Sequence, residues 1–134
     1  MDCLFCKIVA GQIPATKLYE DEHTLAFMDI HPGTDGHALV IPKAHSENLF
    51  NIVPKDLAAT MQTAQRVAQA MKSALSIDGL NLFQSNGAAA FQSVFHFHVH
   101  LLPRREGDDV RLPWFPKTGE AVAATADKIR AALK

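Results

Sequence analysis

The stretch that decides the fold is Val94-Phe-His-Phe-His-Val-His-Leu-Leu102. Aromatic and β-branched residues alternate in it with histidines, and this period of two predicts a strand. Residues i, i+2 and i+4 of a strand point to the same face, so His96, His98 and His100 should form one row with Cα atoms about 6.5–7 Å apart. The opposite face should belong to a core, and it carries Phe95, Phe97, Val99 and Leu101.

We interpret this histidine row as the active site. Three partly desolvated imidazoles side by side are a poor structural choice, because any two protonated neighbours repel each other. The alternative is a half-exposed strand in which the histidines have no function. Apolar residues alternate regularly with the three histidines, and this regularity favours the functional interpretation.

Length and composition set limits on the function. With 134 residues the chain is long enough for one domain with a buried core. Its net charge of −1 at pH 7 predicts no general attraction to nucleic acids or membranes. No apolar run approaches the length of a membrane-spanning helix, and Met1-Asp-Cys3 lacks the basic residues of a signal peptide, so we expect a cytoplasmic protein.

The rest of the chain predicts a small α+β fold. Periodicity and turn residues predict helices over residues 4–10, from Pro54 to just before Asp78-Gly79, and from near Thr118 to the end. Strands are predicted over residues 17–20, 24–29, 37–41 and 80–83. Consecutive short strands favour an antiparallel sheet with the helices packed on one of its faces. The long helix has one predicted apolar stripe, made of Leu57, Met61, Ala64, Ala68, Met71 and Leu75.

Several sequence blocks resemble one known family. His96-Phe-His-Val-His-Leu-Leu102 matches the histidine triad motif, in which three histidines alternate with apolar residues. Further blocks that resemble the family are Phe5–Pro14, Ala26–Ile30, His37–His45 and Gln92–His96. The chain is therefore similar to members of the histidine triad (HIT) superfamily of nucleotide hydrolases and transferases. We expect residues 1–134 to form a single HIT domain, with its core over about residues 3–105 and a C-terminal tail and helix over 106–134.

The resemblance implies a five-stranded antiparallel sheet with one long central helix, paired across a homodimer into a ten-stranded sheet. It also implies a purine nucleotide substrate, such as a nucleoside phosphoramidate or a dinucleoside polyphosphate, with its α-phosphate beside the triad. In the family, the middle histidine attacks this phosphorus and carries a covalent nucleotidyl intermediate, and here that residue is His98. No metal is needed for this chemical step.

The chemistry of the residues around the motif agrees with the implied mechanism. A neutral imidazole is a good nucleophile near pH 7. His100 could hydrogen-bond the other ring nitrogen of His98 and hold the attacking tautomer, or it could bind the phosphate. Ser93 is the polar neighbour expected for the leaving group, and His96 completes the catalytic triad.

The remaining candidates would bind the nucleotide. Asp29 is a candidate ligand of the ribose hydroxyls, and its alternative is a turn cap before His31-Pro32. An apolar wall for the base is expected from Phe5, Ile8, Phe27 and Ile30, for which plain core packing is the alternative. Further contacts to the nucleotide are expected from Ser85, Asn86 and Gln92, and Gln92 would contact the phosphate.

Two positions depart from the family pattern. Asn or Gln is usual where this chain has Ser85, although Asn86 follows it directly. Glycine is usual directly before Gln92, where this chain has Phe91. Because a glycine there lets the backbone approach a phosphate closely, Phe91 is expected to change either the loop geometry or the shape of the leaving-group pocket.

The chain has two cysteines, Cys3 and Cys6. In a reducing compartment, this pair predicts metal or redox chemistry in preference to a structural disulfide. Zinc prefers four nitrogen or sulfur ligands in a tetrahedron. Some bacterial HIT proteins with the same Cys-x-x-Cys pair use two cysteines and two histidines as metal ligands. The resemblance to them implies that His45 and His96 complete the set here. We therefore predict a structural zinc on these four residues, and the alternative is two free thiols.

Two other classes of function remain open. One is a metal-dependent hydrolase in which the three triad histidines bind a catalytic zinc, although the third histidine of a row reaches a shared metal poorly. The other is a nucleotide-binding or scaffolding HIT protein with little turnover. Phe91 leaves this second class open, whereas the intact His98, His100 and Ser93 favour an enzyme.

Overall fold

The structure, a computed structural model, describes residues 2–111, 117–119 and 121–134. The strands within these residues are β1 (Lys17–Glu20), β2 (Thr24–Met28), β3 (Ala38–Pro42), β4 (Gly79–Phe83) and β5 (Val99–Arg104). The helices are α1 (Leu4–Val9), the long α2 (Pro54–Ala74) and α3 (Val122–Ala132), with a short 3-10 turn over Ala88–Ala90. The five strands form one antiparallel sheet in the order β1-β2-β3-β5-β4. This architecture confirms the predicted α+β class and the five-stranded antiparallel sheet.

The strand that contains the histidine motif begins later than predicted. β5 starts at Val99, so His96 and His98 precede it. β3 pairs with β5 from Ala38 opposite Leu101 to Val40 opposite Val99. The same register would place Pro42 opposite Phe97, and proline has no N–H for a ladder hydrogen bond. The N–H of Phe97 instead donates to the carbonyl oxygen of Ser46 at 2.7 Å.

Side chains still alternate between the two faces of the sheet on both sides of this break. The face under α2 holds a buried cluster that includes Ala26, Val40, Phe97, Val99, Leu101, Ala64, Val67 and Met71. The opposite face holds Leu25, Phe27, Leu39 and Ile41 together with Phe5 and Ile8 of α1. The predicted core face is thus present, but Phe95 is 43% exposed and does not belong to it. The helices also do not share one face, because α1 and α2 pack on opposite sides of the sheet.

The buried side of α2 differs in part from the predicted apolar stripe. Met61 is 39% exposed, whereas Thr60 and Thr63 are buried. Each threonine hydroxyl has a hydrogen-bond partner: Thr60 donates to the main-chain carbonyl of Asp56 at 2.7 Å, and Thr63 pairs with the hydroxyl of Thr24 at 2.7 Å. A buried hydroxyl with such a partner is tolerated in a core, so hydrophobicity alone does not identify this helix face.

The C-terminal helix begins at Val122, four residues after the predicted start near Thr118, and all its residues are at least partly exposed. None of the helices in the described part of the chain is both long and apolar enough to cross a membrane.

The loop after β4 contains a strained residue. Phe91 has φ 68° and ψ 24°, which is the left-handed conformation, and it is the one non-glycine residue with positive φ in the described part of the chain. Its side chain is 91% exposed. The backbone at this position therefore has a conformation that favours glycine, although the residue is phenylalanine.

Replacement of Phe91 by Asn is expected to raise the free energy of unfolding by about 1 kcal/mol, because Asn adopts the left-handed conformation more readily. Little packing is lost from a side chain that is 91% exposed. Phe50→Asn is the matched control, since Phe50 is 85% exposed and has no positive φ. Urea unfolding of both variants measures the difference. Equal changes in the two variants would contradict the assigned strain.

Candidate functional site

A cavity of about 420 Å³ lies on the α1 face of the sheet. It brings together many of the residues predicted for the site, and its lining includes Phe5, Ile8, Phe27, Asp29, Ile30, Ser93, His98 and His100. Ser85, Asn86, Gln92 and His96 do not line it.

His98 is buried, and its Nδ1 lies 2.7 Å from the carbonyl oxygen of His96. A carbonyl oxygen only accepts hydrogen bonds, so Nδ1 of His98 must carry the proton and Nε2 must keep its lone pair. Burial lowers the pKa of His98, which favours the neutral ring. The tautomer is therefore fixed by a main-chain carbonyl and not by His100, so contact with the phosphate is the other role considered for His100. This arrangement leaves Nε2 of His98 as a nucleophilic nitrogen.

His100 lies next to His98, with the two ring centroids 4.9 Å apart. Burial lowers the pKa of His100 to about 4. Its Nδ1 is 2.9 Å from Nε2 of His37, a residue predicted to lie in a strand but not in the site. Leu39 pairs with His100 across the sheet, which brings the start of β3 beside the triad. The position of His37 could have been inferred only with the strand pairing known.

Asp29 combines the two roles considered for it. Its Oδ1 accepts a hydrogen bond from the main-chain N–H of His31 at 2.8 Å, which is the turn cap. Its Oδ2 lies 3.4 Å from Nε2 of His37, and the carboxylate also lines the cavity. The turn cap thus orients a carboxylate that remains accessible to a ligand.

The apolar residues of the cavity also serve two purposes. Phe5, Ile8 and Phe27 are buried members of the core cluster on the α1 face, and they form one wall of the cavity. The Phe5 ring packs edge-on against the Phe27 ring at 5.4 Å and against the His98 ring at 5.1 Å between centroids. Ile30 is 84% exposed at the cavity. Core packing and a binding wall are therefore not exclusive interpretations here.

Gln92 anchors a loop. Its Oε1 accepts from the N–H of Gly87 at 2.7 Å and from the side-chain amide of Asn48 at 3.4 Å. Its Nε2 donates to the carbonyl oxygens of Glu47 at 2.7 Å and Val94 at 3.2 Å. The side chain is buried, and these bonds occupy both of its polar ends. The predicted contact of Gln92 with a phosphate therefore has no free donor in this structure.

Ser85 and Asn86 likewise lie outside the cavity. Oδ1 of Asn86 accepts from the N–H of Leu49 at 2.7 Å and from the side-chain amide of Gln84 at 2.7 Å. The amide nitrogen of Asn86 donates back to Gln84 at 2.7 Å. The bond from Leu49 ties the loop after β4 to the segment before α2, and the two bonds with Gln84 lie within the loop. Ser93, by contrast, is exposed at the rim of the cavity.

A second cluster of four side chains forms a candidate metal centre behind the triad. The ligand atoms of Cys3, Cys6, His45 and His96 all lie within 4.8 Å of one another. The sulfurs of Cys3 and Cys6 are each 3.5 Å from Nδ1 of His96. Nδ1 of His45 is 3.4 Å from the sulfur of Cys6 and 3.2 Å from Nδ1 of His96.

These spacings fit a tetrahedral zinc. Zn–S bonds of about 2.3 Å and Zn–N bonds of about 2.05 Å separate sulfur from nitrogen by about 3.6 Å and nitrogen from nitrogen by about 3.3 Å. Nε2 of His96 is 2.7 Å from the carbonyl oxygen of Pro42, so it carries the proton and Nδ1 offers its lone pair. Burial lowers the pKa of His96 to about 4, which also favours the neutral ring.

The three triad histidines do not converge on one metal. His96 directs Nδ1 at the cysteines, and His98 directs Nδ1 at a carbonyl oxygen. His100 directs Nδ1 at His37. A catalytic zinc shared by the three histidines therefore has no support in this geometry.

Comparison with known proteins shows one family. A family model described as HIT domain matches residues 10–107. The chain is 45% identical to Protein hit of Bacillus subtilis over 114 residues, which are 84% of this chain and 79% of that protein. It is 43% identical to the adenylylsulfatase HINT3 of Arabidopsis thaliana over 80% of this chain and 54% of that protein. It is 45% identical to the adenosine 5'-monophosphoramidase HNT1 of Saccharomyces cerevisiae over 78% of this chain and 63% of that protein.

Solved structures agree with these relatives. A HIT family protein from Bacillus subtilis superposes with a TM-score of 0.92 at 39% identity, over 100% of this chain and 99% of that chain. A zinc-bound histidine triad family protein from Mycobacterium smegmatis superposes with a TM-score of 0.79 at 41% identity, over 99% of both chains.

Proposed function

We start from the finding that this chain belongs to the HIT domain family, and we propose that it is a nucleotide hydrolase or transferase that acts at the α-phosphate of purine nucleotide derivatives. The observation that carries the proposal is the free Nε2 of His98 in a cavity that also holds a carboxylate. Two relatives are named as enzymes of AMP derivatives, an adenylylsulfatase and an AMP phosphoramidase. Substrates of the same class here are nucleoside phosphoramidates and dinucleoside polyphosphates.

In the proposed reaction, Nε2 of His98 attacks the α-phosphorus. A P–N bond to His98 forms while the bond to the leaving group breaks, and the leaving group departs with the electron pair. The ring gains positive charge in this step, and the His96 carbonyl stabilises the charge through the Nδ1–H hydrogen bond. Water then attacks the phosphorus: a P–O bond forms, the water loses a proton to solvent, and the P–N bond breaks with its electron pair on Nε2. This step releases the nucleotide and restores the neutral imidazole of His98.

The other residues of the cavity bind the substrate. The base packs against the apolar wall of Phe5, Ile8, Phe27 and Ile30. Asp29 accepts hydrogen bonds from the ribose hydroxyls, because its carboxylate lines the cavity. Ser93 at the exposed rim faces the leaving group, which obtains its proton from the hydroxyl or from solvent at this rim.

His98→Ala is expected to lower kcat for adenosine 5'-phosphoramidate by at least about a thousandfold, since the nucleophile is removed. The affinity for AMP, measured by titration calorimetry, should change far less, because the apolar wall and Asp29 remain. His23→Ala is the control for loss of a histidine, since His23 is exposed and outside the cavity. Turnover by His98→Ala near the wild-type rate would contradict the mechanism.

We further propose one structural zinc per chain, held by Cys3, Cys6, His45 and His96. The tetrahedral spacing of the four donor atoms supports this proposal, as does the zinc-bound relative from Mycobacterium smegmatis. The metal would cross-link the start of α1 to the segment before β5 and would take no part in the chemical step.

Cys6→Ala is expected to lower the free energy of unfolding by more than about 3 kcal/mol, because a bound structural zinc contributes directly to folding. The rate per folded molecule should fall much less. Elemental analysis of protein purified without chelator or nickel resin should give one equivalent of zinc for the wild type. Zinc far below one equivalent, with both thiols freely titratable, would contradict the site.

We also propose a homodimer that pairs through β4. The two edges of the sheet are β1 and β4. β1 carries the charged Lys17 and Glu20 and an irregular register, which are features that protect an edge from pairing. β4 has no charged residue, and its Leu82 is 45% exposed. An unprotected edge of this kind favours pairing with a second copy into a ten-stranded sheet.

Sedimentation at micromolar concentration is expected to give twice the chain mass of 14.6 kDa. Leu82→Glu should shift the protein toward monomers, because it places a charge on the proposed pairing edge. Leu18→Glu on the other edge is the matched control, since Leu18 is 48% exposed. A wild-type species of 14.6 kDa would contradict the dimer, and equal effects of the two variants would contradict the choice of edge.

A further inference from the structure

His37 lies between a main-chain N–H and an imidazole of the triad. The N–H of Gly33 donates to Nδ1 of His37 at 2.9 Å. On the other side of the ring, Nε2 of His37 is 2.9 Å from Nδ1 of His100 and 3.4 Å from Oδ2 of Asp29. His37 is buried, so its ring has little access to water as an alternative partner.

These contacts determine the positions of two protons. A main-chain N–H can only donate, so Nδ1 of His37 must hold its lone pair. The neutral ring then carries its proton on Nε2, where the carboxylate of Asp29 and Nδ1 of His100 both act as acceptors. Because Nδ1 of His100 accepts this proton's hydrogen bond, the neutral His100 must carry its own proton on Nε2. Burial lowers the pKa of both rings, which agrees with neutral forms.

His98 and His100 are therefore opposite tautomers in one cavity. Nε2 of His98 has a lone pair, because the His96 carbonyl holds its Nδ1 proton. Nε2 of His100 has a proton for the opposite reason. The Gly33 N–H donates to Nδ1 of His37, so His37 donates from Nε2 to Nδ1 of His100 and leaves the His100 proton on Nε2. One ring can attack phosphorus while the other donates a hydrogen bond to an oxygen of the same phosphate. A neutral imidazole is a poor general acid, since loss of its proton leaves an imidazolate, but it is an effective hydrogen-bond donor.

We propose that His37 is a positioning residue, set by the main-chain N–H of Gly33, that fixes His100 as a neutral hydrogen-bond donor to the phosphoryl group under attack. This proposal rests on the proposed function and adds to it the loop between β2 and β3 as the element that sets the donor. His37 itself touches no substrate atom in this role.

A metal ion on the same residues is the competing interpretation, because ligand atoms of Asp29, His37 and His100 lie within 4.8 Å of one another. A histidine that binds a metal normally donates from its other ring nitrogen to an acceptor. Here the other nitrogen of His37 already faces the N–H donor of Gly33. Two donors would oppose each other if Nε2 bound a metal, so the hydrogen-bonded arrangement is favoured.

The first test reads the tautomers without substrate. In protein with ¹⁵N-labelled histidine, long-range ¹H–¹⁵N correlation spectra should show the proton on Nε2 for His37 and His100 and on Nδ1 for His98. Gly33→Pro removes the N–H donor and should move the His100 proton to Nδ1 in part of the molecules. Gly33→Ala retains the donor, and its Cβ would meet only ordinary contacts of 3.7 Å with His37 and Leu102. It should therefore retain the Nε2–H signal of His100.

The second test measures turnover of adenosine 5'-phosphoramidate. The kcat of Gly33→Ala should exceed that of Gly33→Pro by about 100-fold, which is the usual effect of one preorganised donor to a transition state, with little change in KM. If Gly33→Pro does not fold, His37→Leu and His37→Gln replace it. The kcat of His37→Leu should fall to the same extent as expected for Gly33→Pro. His37→Gln should recover part of this loss, because the glutamine amide can donate to His100.

The two tests separate the present proposal from the function on which it rests. A proton on Nδ1 of His100 in the wild type would overturn the proposal whatever the activity, and so would equal kcat values for the two Gly33 variants. Absence of turnover by the wild type on any adenylated substrate, with the expected tautomers present, would instead refute the proposed function.

Discussion

The hydrogen bond between Nδ1 of His98 and the carbonyl oxygen of His96, 2.7 Å long, is the interaction on which the site depends. It decides which nitrogen of His98 is free to react. The carbonyl oxygen can hold the Nδ1 proton of His98 because His96, the residue to which this carbonyl belongs, is itself fixed. The His96 ring is buried, bound at Nε2 to the carbonyl of Pro42 and surrounded at Nδ1 by the two cysteines. The candidate metal centre and the nucleophile are thus connected through a single residue.

The break in the sheet makes this connection possible. In a regular ladder this segment would continue its pairing with β3, with Phe97 opposite Pro42, but Pro42 has no N–H with which to continue that ladder. The N–H of Phe97 bonds to Ser46, and its ring is buried under α2. The flanking His96 and His98 rings remain on the α1 face, where both lie against Phe5. Strand-like alternation of side chains therefore persists, while a main-chain carbonyl becomes available to a side chain.

Local patterns in the sequence predicted much of this arrangement. Alternation alone placed His98 and His100 on one face. The Cys-x-x-Cys pair indicated metal or redox chemistry, and the resemblance to HIT proteins added His45 and His96; the structure brings the ligand atoms of these four residues within 4.8 Å of one another. Contacts between distant segments were harder to predict. The side chain of Gln92 forms hydrogen bonds with Gly87, Asn48 and Glu47. No pattern in the sequence around Gln92 indicates these partners. His37 was missed for the same reason, because its contact with His100 depends on how β3 pairs with β5.

The identity of the bonded atom in the covalent intermediate tests the central claim most directly. The protein would be trapped with a slowly hydrolysed adenylated compound, and the adduct would be located by crystallography and ³¹P NMR. We expect phosphorus bonded to Nε2 of His98, with Nδ1 still donating to the carbonyl of His96. An adduct on Nδ1, an adduct on another residue, or hydrolysis by direct attack of water without any adduct would contradict it.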